Sequence, residues 1–325
     1  MSVNNENIEN KLHSPHFKWS FLLPKFWGIW IAIFFSIIFA FLPVTFRDWL
    51  GRKLAKLIVK KGGRMIHRTR VNLAYCFPDW SKEQQQALLH ETFVKACQYM
   101  LGYSELLIRS KRHNHKRGKI VGADNLFPLL ESGEPVIILA PHAWALDYSA
   151  VMLASRGYKV TNIMRPQKNP VGDWLMHLQR MQYGGRIFSR DAGVKPFIRS
   201  IRDGYIGYWV PDEDLGKDLS VIVPFFGTEK ATLKGFGKMA RLSKAKIVPL
   251  FTIYNEASHQ YEVHIKPALI DFPSGNEETD ARRLNEVVEE LVSPFPEHYM
   301  WNLPLLKTQR VGGSLYRRHE QEPLP

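Results

Sequence analysis

The sequence predicts an α/β fold, a mostly parallel sheet flanked by helices, set behind an N-terminal membrane helix. Three observations predict it. From Phe26 to Phe46 the chain reads FWGIWIAIFFSIIFAFLPVTF without a single charged residue. Val136 to Ala140 (VIILA) is a short, continuously apolar run between two prolines, the pattern of a strand buried on both faces. Beyond it, strand-like and helix-like segments alternate, as they do where a parallel sheet is covered on both sides.

The apolar run comes first in the chain. At about 1.5 Å per residue, roughly 20 residues cross a hydrocarbon core of about 30 Å, so a membrane span or deep anchor is expected. A cleaved signal peptide is the competing reading. The run is longer than such a signal's apolar region, however, and it closes on Phe41, Pro43 and Phe46 without a small-residue cleavage site. Trp19, Trp27, Trp30 and Trp49 stand near its two ends, where amphipathic rings settle. Behind it come Arg47, Arg52, Lys53, Lys56, Lys60, Lys61 and Arg64, against Lys11, Lys18 and Lys25 in front. By the positive-inside rule the body then lies on the cytoplasmic side. Leu50, Leu54, Leu57 and Ile58 recur at helical spacing among those lysines, which suggests an amphipathic helix resting on anionic headgroups. The expected organisation is a tail (1–25), an anchor helix (26–46) and one domain (47–325).

Composition narrows the partners. The 325 residues carry 44 Lys and Arg against 31 Asp and Glu, a formal charge of +13, so an anionic partner is expected: a lipid headgroup, a phosphate, a nucleic acid or an acidic protein. Nine Trp and 19 Phe, gathered toward the N-terminus, tilt that choice toward a membrane interface. Cys76 and Cys97 are too few for a disulfide framework and lack metal-ligand spacing, so both read as reduced thiols.

Along the body, Ser81 opens a capped helix through KEQQQALLHETFVKACQYMLGYSELL, and Lys111 to Lys119 reads as a basic connector. The VIILA strand is followed by a helix from about Ala143 to Gly157, a strand at Lys159 to Met164, and a helix capped by Asn169-Pro170 that stops at Gly184-Gly185. Then come a strand at Arg186 to Ser189, a helix at Val194 to Asp203 and a strand at Tyr205 to Val210. Val221 to Phe226 is extended, Lys234 to Ser243 helical, Lys246 to Tyr254 and Tyr261 to Lys266 are paired strands, and Thr279 to Val292 is the closing helix. Pro249 inside a strand marks an edge or a bulge.

In such sheets the working residues gather at the carboxyl ends of strands. His142 stands at the end of the VIILA strand, with Asp147 five residues on, in Ala140-Pro-His-Ala-Trp-Ala-Leu-Asp-Tyr148. Five residues of regular helix turn a side chain by about 140°, so the two meet only if His142 sits in the turn before the helix. There an imidazole takes a proton from a hydroxyl while a carboxylate steadies its other ring nitrogen. The plainer reading is a hydrogen-bonded histidine at a strand end and an aspartate favoured by the helix dipole. No nucleophile elbow accompanies the pair, so direct attack by a substrate hydroxyl is the simpler chemistry. Arg190, at a later strand end, suits a phosphate or a developing oxyanion. Asp212, Glu213 and Asp214 crowd one loop, either as a site or as a solvated acidic turn; metal binding there is disfavoured because no histidine lies nearby in sequence.

These segments resemble the late acyltransferases of lipid A biosynthesis, most closely the myristoyl-transferring branch. The resemblance rests on Asn72-Leu-Ala-Tyr-Cys-Phe-Pro78, the His142 to Asp147 block, Tyr183-Gly-Gly-Arg-Ile-Phe-Ser-Arg190, Val194-Lys-Pro-Phe-Ile198, Pro211-Asp-Glu-Asp214, Phe225-Phe-Gly227 with Ala231-Thr232, and Pro296-Glu-His-Tyr-Met-Trp301 before Lys307-Thr308. It departs from the family pattern at Glu213, Leu215 and Asn302-Leu303-Pro304. It implies a glycerophosphate-acyltransferase-like fold and an enzyme of the bacterial inner membrane. The donor would be an acyl chain on acyl carrier protein, with no cofactor. The acceptor would be the 3-hydroxyl of an acyl chain on a Kdo-bearing lipid A precursor. His142 would be the general base and Asp147 its orienting partner, with Arg190, Asp212 and Asp214 as binding or oxyanion residues. The acidic carrier would dock on Lys111, Arg112, Lys116, Arg117 and Lys119, or on Lys238, Arg241, Lys244 and Lys246. Two rival readings stand beside this one: a glycerophosphate acyltransferase, which shares the H-x-x-x-x-D block, and a non-catalytic membrane-tethered anion-binding protein. The absence of a recognisable nucleic-acid motif argues against a nucleic-acid partner.

Overall fold

A computed structural model describes residues 8–320 and 322–324; residues 1–7 of the expected tail lie outside these. After turns at Trp19–Leu22 and Pro24–Phe26 come helices α1 (Trp27–Phe41), α2 (Val44–Lys61), α3 (Arg64–Cys76) and α4 (Lys82–Gly102). Short helical segments at Glu105–Ile108 and Lys111–Lys116 lead to β1 (Gly118–Val121). The alternating part follows as β2 (Val136–Leu139), α5 (Leu146–Ser155), β3 (Val160–Met164), α6 (Pro170–Met181), β4 (Arg186–Ser189), α7 (Lys195–Arg202) and β5 (Ile206–Trp209). A hairpin of β6 (Ser220–Phe225) and β7 (Thr228–Leu233), then α8 (Phe236–Ser243), β8 (Lys246–Asn255), β9 (Gln260–Ile265) and α9 (Glu277–Val292) complete the main elements.

Seven strands form one sheet in the order β1-β9-β8-β2-β5-β3-β4. Strands β8, β2, β5, β3 and β4 run parallel, β9 runs antiparallel to β8, and β1 runs parallel to β9. The central β2 explains its own composition. Ile137 and Leu139 face a core shared with Phe197, Phe236 and Val288, whereas Val136, Ile138 and Ala140 face a second core with Tyr148 and Val151. A strand covered on both faces has no polar side.

Local signals place most boundaries. Ser81 and Gln84 close a capping box at the start of α4, and the Asn169 side chain accepts from the N–H groups of Val171 and Gly172 ahead of α6. Three expectations need correction. The Lys111–Lys119 connector contains a helical turn capped by Ser110 and runs into the strand β1, which pairs with the distant β9. The extended Val221–Phe226 segment has a return strand, β7, whose alternation is masked because Lys230 points inward. Pro249 lies neither at an edge nor at a bulge: β8 pairs with β2 through Pro249 and with β9 from Leu250 onward, so the missing N–H falls where one partner hands over to the other.

The apolar run is also divided. Helix α1 stops at Phe41, Pro43 prevents its continuation, and its 15 residues measure about 22 Å. In α2, Gly51 lets α4 approach so closely that a Cβ there would lie 2.9 Å from the Gln98 side chain. Arg47 does not face headgroups, being buried against Glu105 at 2.7 Å. Leu54 and Ile58 pack on the core, and Leu57 points outward. Both cysteines are free and buried.

Candidate active site

Strands β2 and β5 lie side by side with Leu139 opposite Trp209. Three residues beyond each lie His142 and Asp212, and the two side chains meet. His142 Nδ1 is 2.5 Å from Asp212 Oδ1, and the His142 backbone N–H donates to Oδ2 at 2.8 Å. With Nδ1–H donating to the carboxylate, Nε2 is the ring's free lone pair, and His142 lines a cavity of about 480 Å³. Asp212 is fully buried. Burial alone would raise its pKa, but the His142 ring, the bond from the His142 backbone and the nearby Tyr299 hydroxyl outweigh that and hold it below the usual carboxylate value.

The turn carrying His142 is clamped from behind. Ala143 forms an antiparallel bridge with Tyr299, Met300 N–H donates to the His142 carbonyl at 2.9 Å, and Trp144 N–H donates to the His298 carbonyl at 3.1 Å. That Pro296–Trp301 segment is itself tied to α3, since Asn72 donates to the carbonyls of Trp301 and Leu303. These contacts account for two of the segments that carry the resemblance: they hold the histidine in place.

Asp147 is not the partner of His142. It stands in the first turn of α5, where its Oδ1 is 2.7–2.9 Å from the Arg180 guanidinium and its Oδ2 accepts from the Tyr103 hydroxyl at 3.1 Å. His142 does sit in the turn before the helix as required, yet the sheet delivers Asp212 to its Nδ1 first. Burial would lower the Arg180 pKa, but Asp147 more than offsets that. Both members of the pair line the same cavity as His142.

Arg190 reaches the cavity and pairs with Glu213, the residue in the acid loop that departs from the family pattern; Leu215 lines the wall beside them. Asp214 turns away from the cavity. It is buried and accepts from the Thr308 backbone N–H (2.6 Å) and hydroxyl (2.8 Å), pinning the loop to the C-terminal segment. The three acids thus have three different partners, and among the described residues no group of His, Cys, Asp and Glu is arranged to hold a metal. Behind the loop, Lys230 is fully buried; burial pushes its ammonium down to about 8, and Asp212 and Asp214 offset only part of that.

The remaining lining combines apolar residues, among them Leu146, Val151, Ile163, Met164 and Met181, with the basic Arg165, Arg186 and Arg190. A largely apolar cavity lined by a histidine, with guanidinium groups at hand, suits a fatty chain attached to a charged group. A family model described as bacterial lipid A biosynthesis acyltransferase matches residues 14–308. The chain belongs to that family. It is 41% identical over 319 residues to a lipid A biosynthesis acyltransferase of Haemophilus influenzae, covering 97% of this chain and 100% of that protein. It is 37% identical over 316 residues to a lipid A biosynthesis myristoyltransferase of Escherichia coli (97% and 98%) and 26% identical over 302 residues to a lipid A biosynthesis lauroyltransferase of Escherichia coli (92% and 97%). The protein is therefore an acyltransferase of lipid A biosynthesis, an activity associated with membranes and with a lipid A precursor as acceptor.

Within this lipid A acyltransferase, sequence reasoning found His142, Asp147, Arg190 and Asp212 on the cavity or directly behind it. It missed Arg180, Tyr103, Tyr299 and Lys230. Arg180 lay in the last turn of α6, where a basic residue reads as an ordinary helix end, and Tyr299 was visible only as part of a matched segment.

Proposed function

We propose that the protein moves a myristoyl chain from acyl carrier protein onto the 3-hydroxyl of an acyl chain on a Kdo-bearing lipid A precursor, at the cytoplasmic face of the inner membrane. The observation that carries the reading is the His142–Asp212 pair, which leaves Nε2 free at an apolar cavity. The acceptor hydroxyl gives its proton to His142 Nε2 as its oxygen attacks the thioester carbon; the new C–O bond forms, the C–S bond breaks, and the proton passes to the departing thiolate. Asp212 steadies the imidazolium, and Arg190 stabilises the developing oxyanion. Myristoyl is favoured because the 37% identical relative bears that name and the lauroyltransferase is more distant.

For the carrier, the Lys111, Arg112, Lys116 and Lys119 group is the better dock. Lys246 pairs with Val136 at the amino end of β2, so Lys244 and Lys246 stand at the end of the sheet away from His142. Arg117 leaves the first cluster, since it is committed to the rings of Tyr254 and Tyr261 and to Glu105. The sheet, with a histidine turn leading into a helix after β2, is compatible with a glycerophosphate-acyltransferase-like fold.

The test is to incubate detergent-solubilised wild type and His142→Ala with myristoyl carrier protein and a Kdo-bearing precursor lacking the secondary chain, and to read the lipid by mass spectrometry. Wild type adds one myristoyl group, and the folded variant is slower by about 10²–10⁴-fold. Transfer to glycerol phosphate instead would reassign the acceptor, and no transfer to either would leave a binding role.

A further inference from the structure

The apolar helix does not stand away from the body. Ile29, Trp30, Ile33, Ser36, Phe39 and Ala40 recur every three or four residues and are all covered or partly covered, so one stripe of α1 lies along the protein for its whole length. Ile29 approaches Gly172 of α6, Ser36 Oγ is 2.5 Å from Ser104 Oγ, and Phe41 lies under Arg109 at 4.7 Å. The opposite face is apolar and open, with Trp27, Ile31, Phe34, Phe35, Ile38 and Phe41 exposed, Phe34 by 61%. Phe46 and Trp49 at the start of α2 extend that face.

The chain ahead of α1 is tied to the same body as the chain behind it. Ile8 belongs to the core, Leu12 bridges Phe188 on the edge strand β4, and His13 N–H donates to the Ile187 carbonyl at 2.8 Å. His13 Nε2 is 2.8 Å from Asp173 of α6, and Phe21 is buried beside Trp174. A bilayer cannot pass between residues 8–21 and the sheet they pack on. The apolar helix counted from Pro24 to Phe41 has 18 residues, about 27 Å, which is long enough to cross, so it is the packing of residues 8–21 and not helix length that argues against a crossing.

We propose that α1 is an in-plane anchor: its outer face sits in one leaflet of an anionic bilayer, and both of its ends stay on the side where the catalytic cavity lies. The occupant is a lipid leaflet, because the exposed face carries no charge, is bordered by Trp19, Trp27 and Trp49, and adjoins Lys53, Lys56, Lys60 and Lys61 on α2. These lysines have no acidic partner among the described residues and suit anionic headgroups. The expectation of a span, and with it an orientation read from flanking charge, gives way to a seat on one surface. The site is within reach of that seat, for Tyr103 bonds Asp147 and the next residue, Ser104, bonds α1. The inference is independent of which acyl group is transferred.

The test uses the full chain, whose native cysteines are buried, with Ser14→Cys or Glu290→Cys at exposed positions. A membrane-impermeant maleimide is applied to sealed inner-membrane vesicles of each orientation. Labelling of both cysteines from the same face is expected. Labelling from opposite faces would establish a crossing and overturn the proposal. Partitioning of the purified protein into phosphatidylethanolamine–phosphatidylglycerol vesicles supplies a second readout. The Phe34→Glu/Phe35→Glu variant binds at least about tenfold more weakly. Unchanged binding, or a wild type that stays out of the vesicles as a dimer through this face, would equally overturn it.

Discussion

Two carboxylates serve one site, Asp147 on the cavity wall and Asp212 buried behind His142, and they are held in opposite ways. Asp147 is local: it lies five residues from His142 in a compact motif, but its helix gives it to Arg180 and Tyr103. Asp212 is remote, 70 residues along, yet the β2–β5 register sets it against the histidine. Motif spacing reports which residues belong to a site, whereas strand order decides which of them touch.

The largest effect that can sharpen this comparison is Asp212→Asn, which leaves the shape of the site intact but removes the charge that steadies the imidazolium. Turnover of acyl carrier thioester should fall by about 10²–10⁴-fold, as for loss of a positioned proton-transfer partner. The same substitution has a pH signature in stability. Because the folded carboxyl titrates below its ordinary 3.8, its stabilising contribution is fully present above that value and is lost as pH falls through the lower folded value. Acid unfolding of the variant compared with wild type should therefore converge only below pH 3.8.

Asp147→Ala acts differently. It strands a mostly buried guanidinium and should cost about 2–4 kcal/mol in denaturant unfolding, with much of the loss recovered in Asp147→Ala/Arg180→Met. If the single variant kept its stability and lost all turnover, the division between the two carboxylates would be broken and Asp147 would have to act on His142 directly.

The smallest effect concerns the cation behind the loop. Folding lowers Lys230 from 10.5 to about 8, so its burial penalty is full below about 8 and disappears as pH rises through 10.5. Lys230→Met should be the more stable protein at neutral pH, by roughly 1–3 kcal/mol, and its advantage should shrink above about pH 8.

Much of this was legible in the chain. VIILA, the capping box at Ser81 and the Asn169-Pro170 cap are local signals, and each element formed close to where the residues placed it. The histidine and both carboxylates were found because strand ends are readable. Their pairing was not, because no periodicity says that β5 lies next to β2. Strand β7 was hidden by the inward Lys230, and the packing of the chain ahead of α1 on the core and on strand β4 has no local signal.

The bridge between Ala143 and Tyr299 sets the order in which the enzyme becomes competent during its own synthesis. Every group assigned to the chemistry has been translated by Asp212, but the turn holding His142 has no backing until residues 298–300 have emerged, near the end of 325. A nascent chain can therefore sit on the membrane through its first helices well before its histidine is set in place, and a chain cut short of Tyr299 would carry all the reacting groups without the frame that aims them.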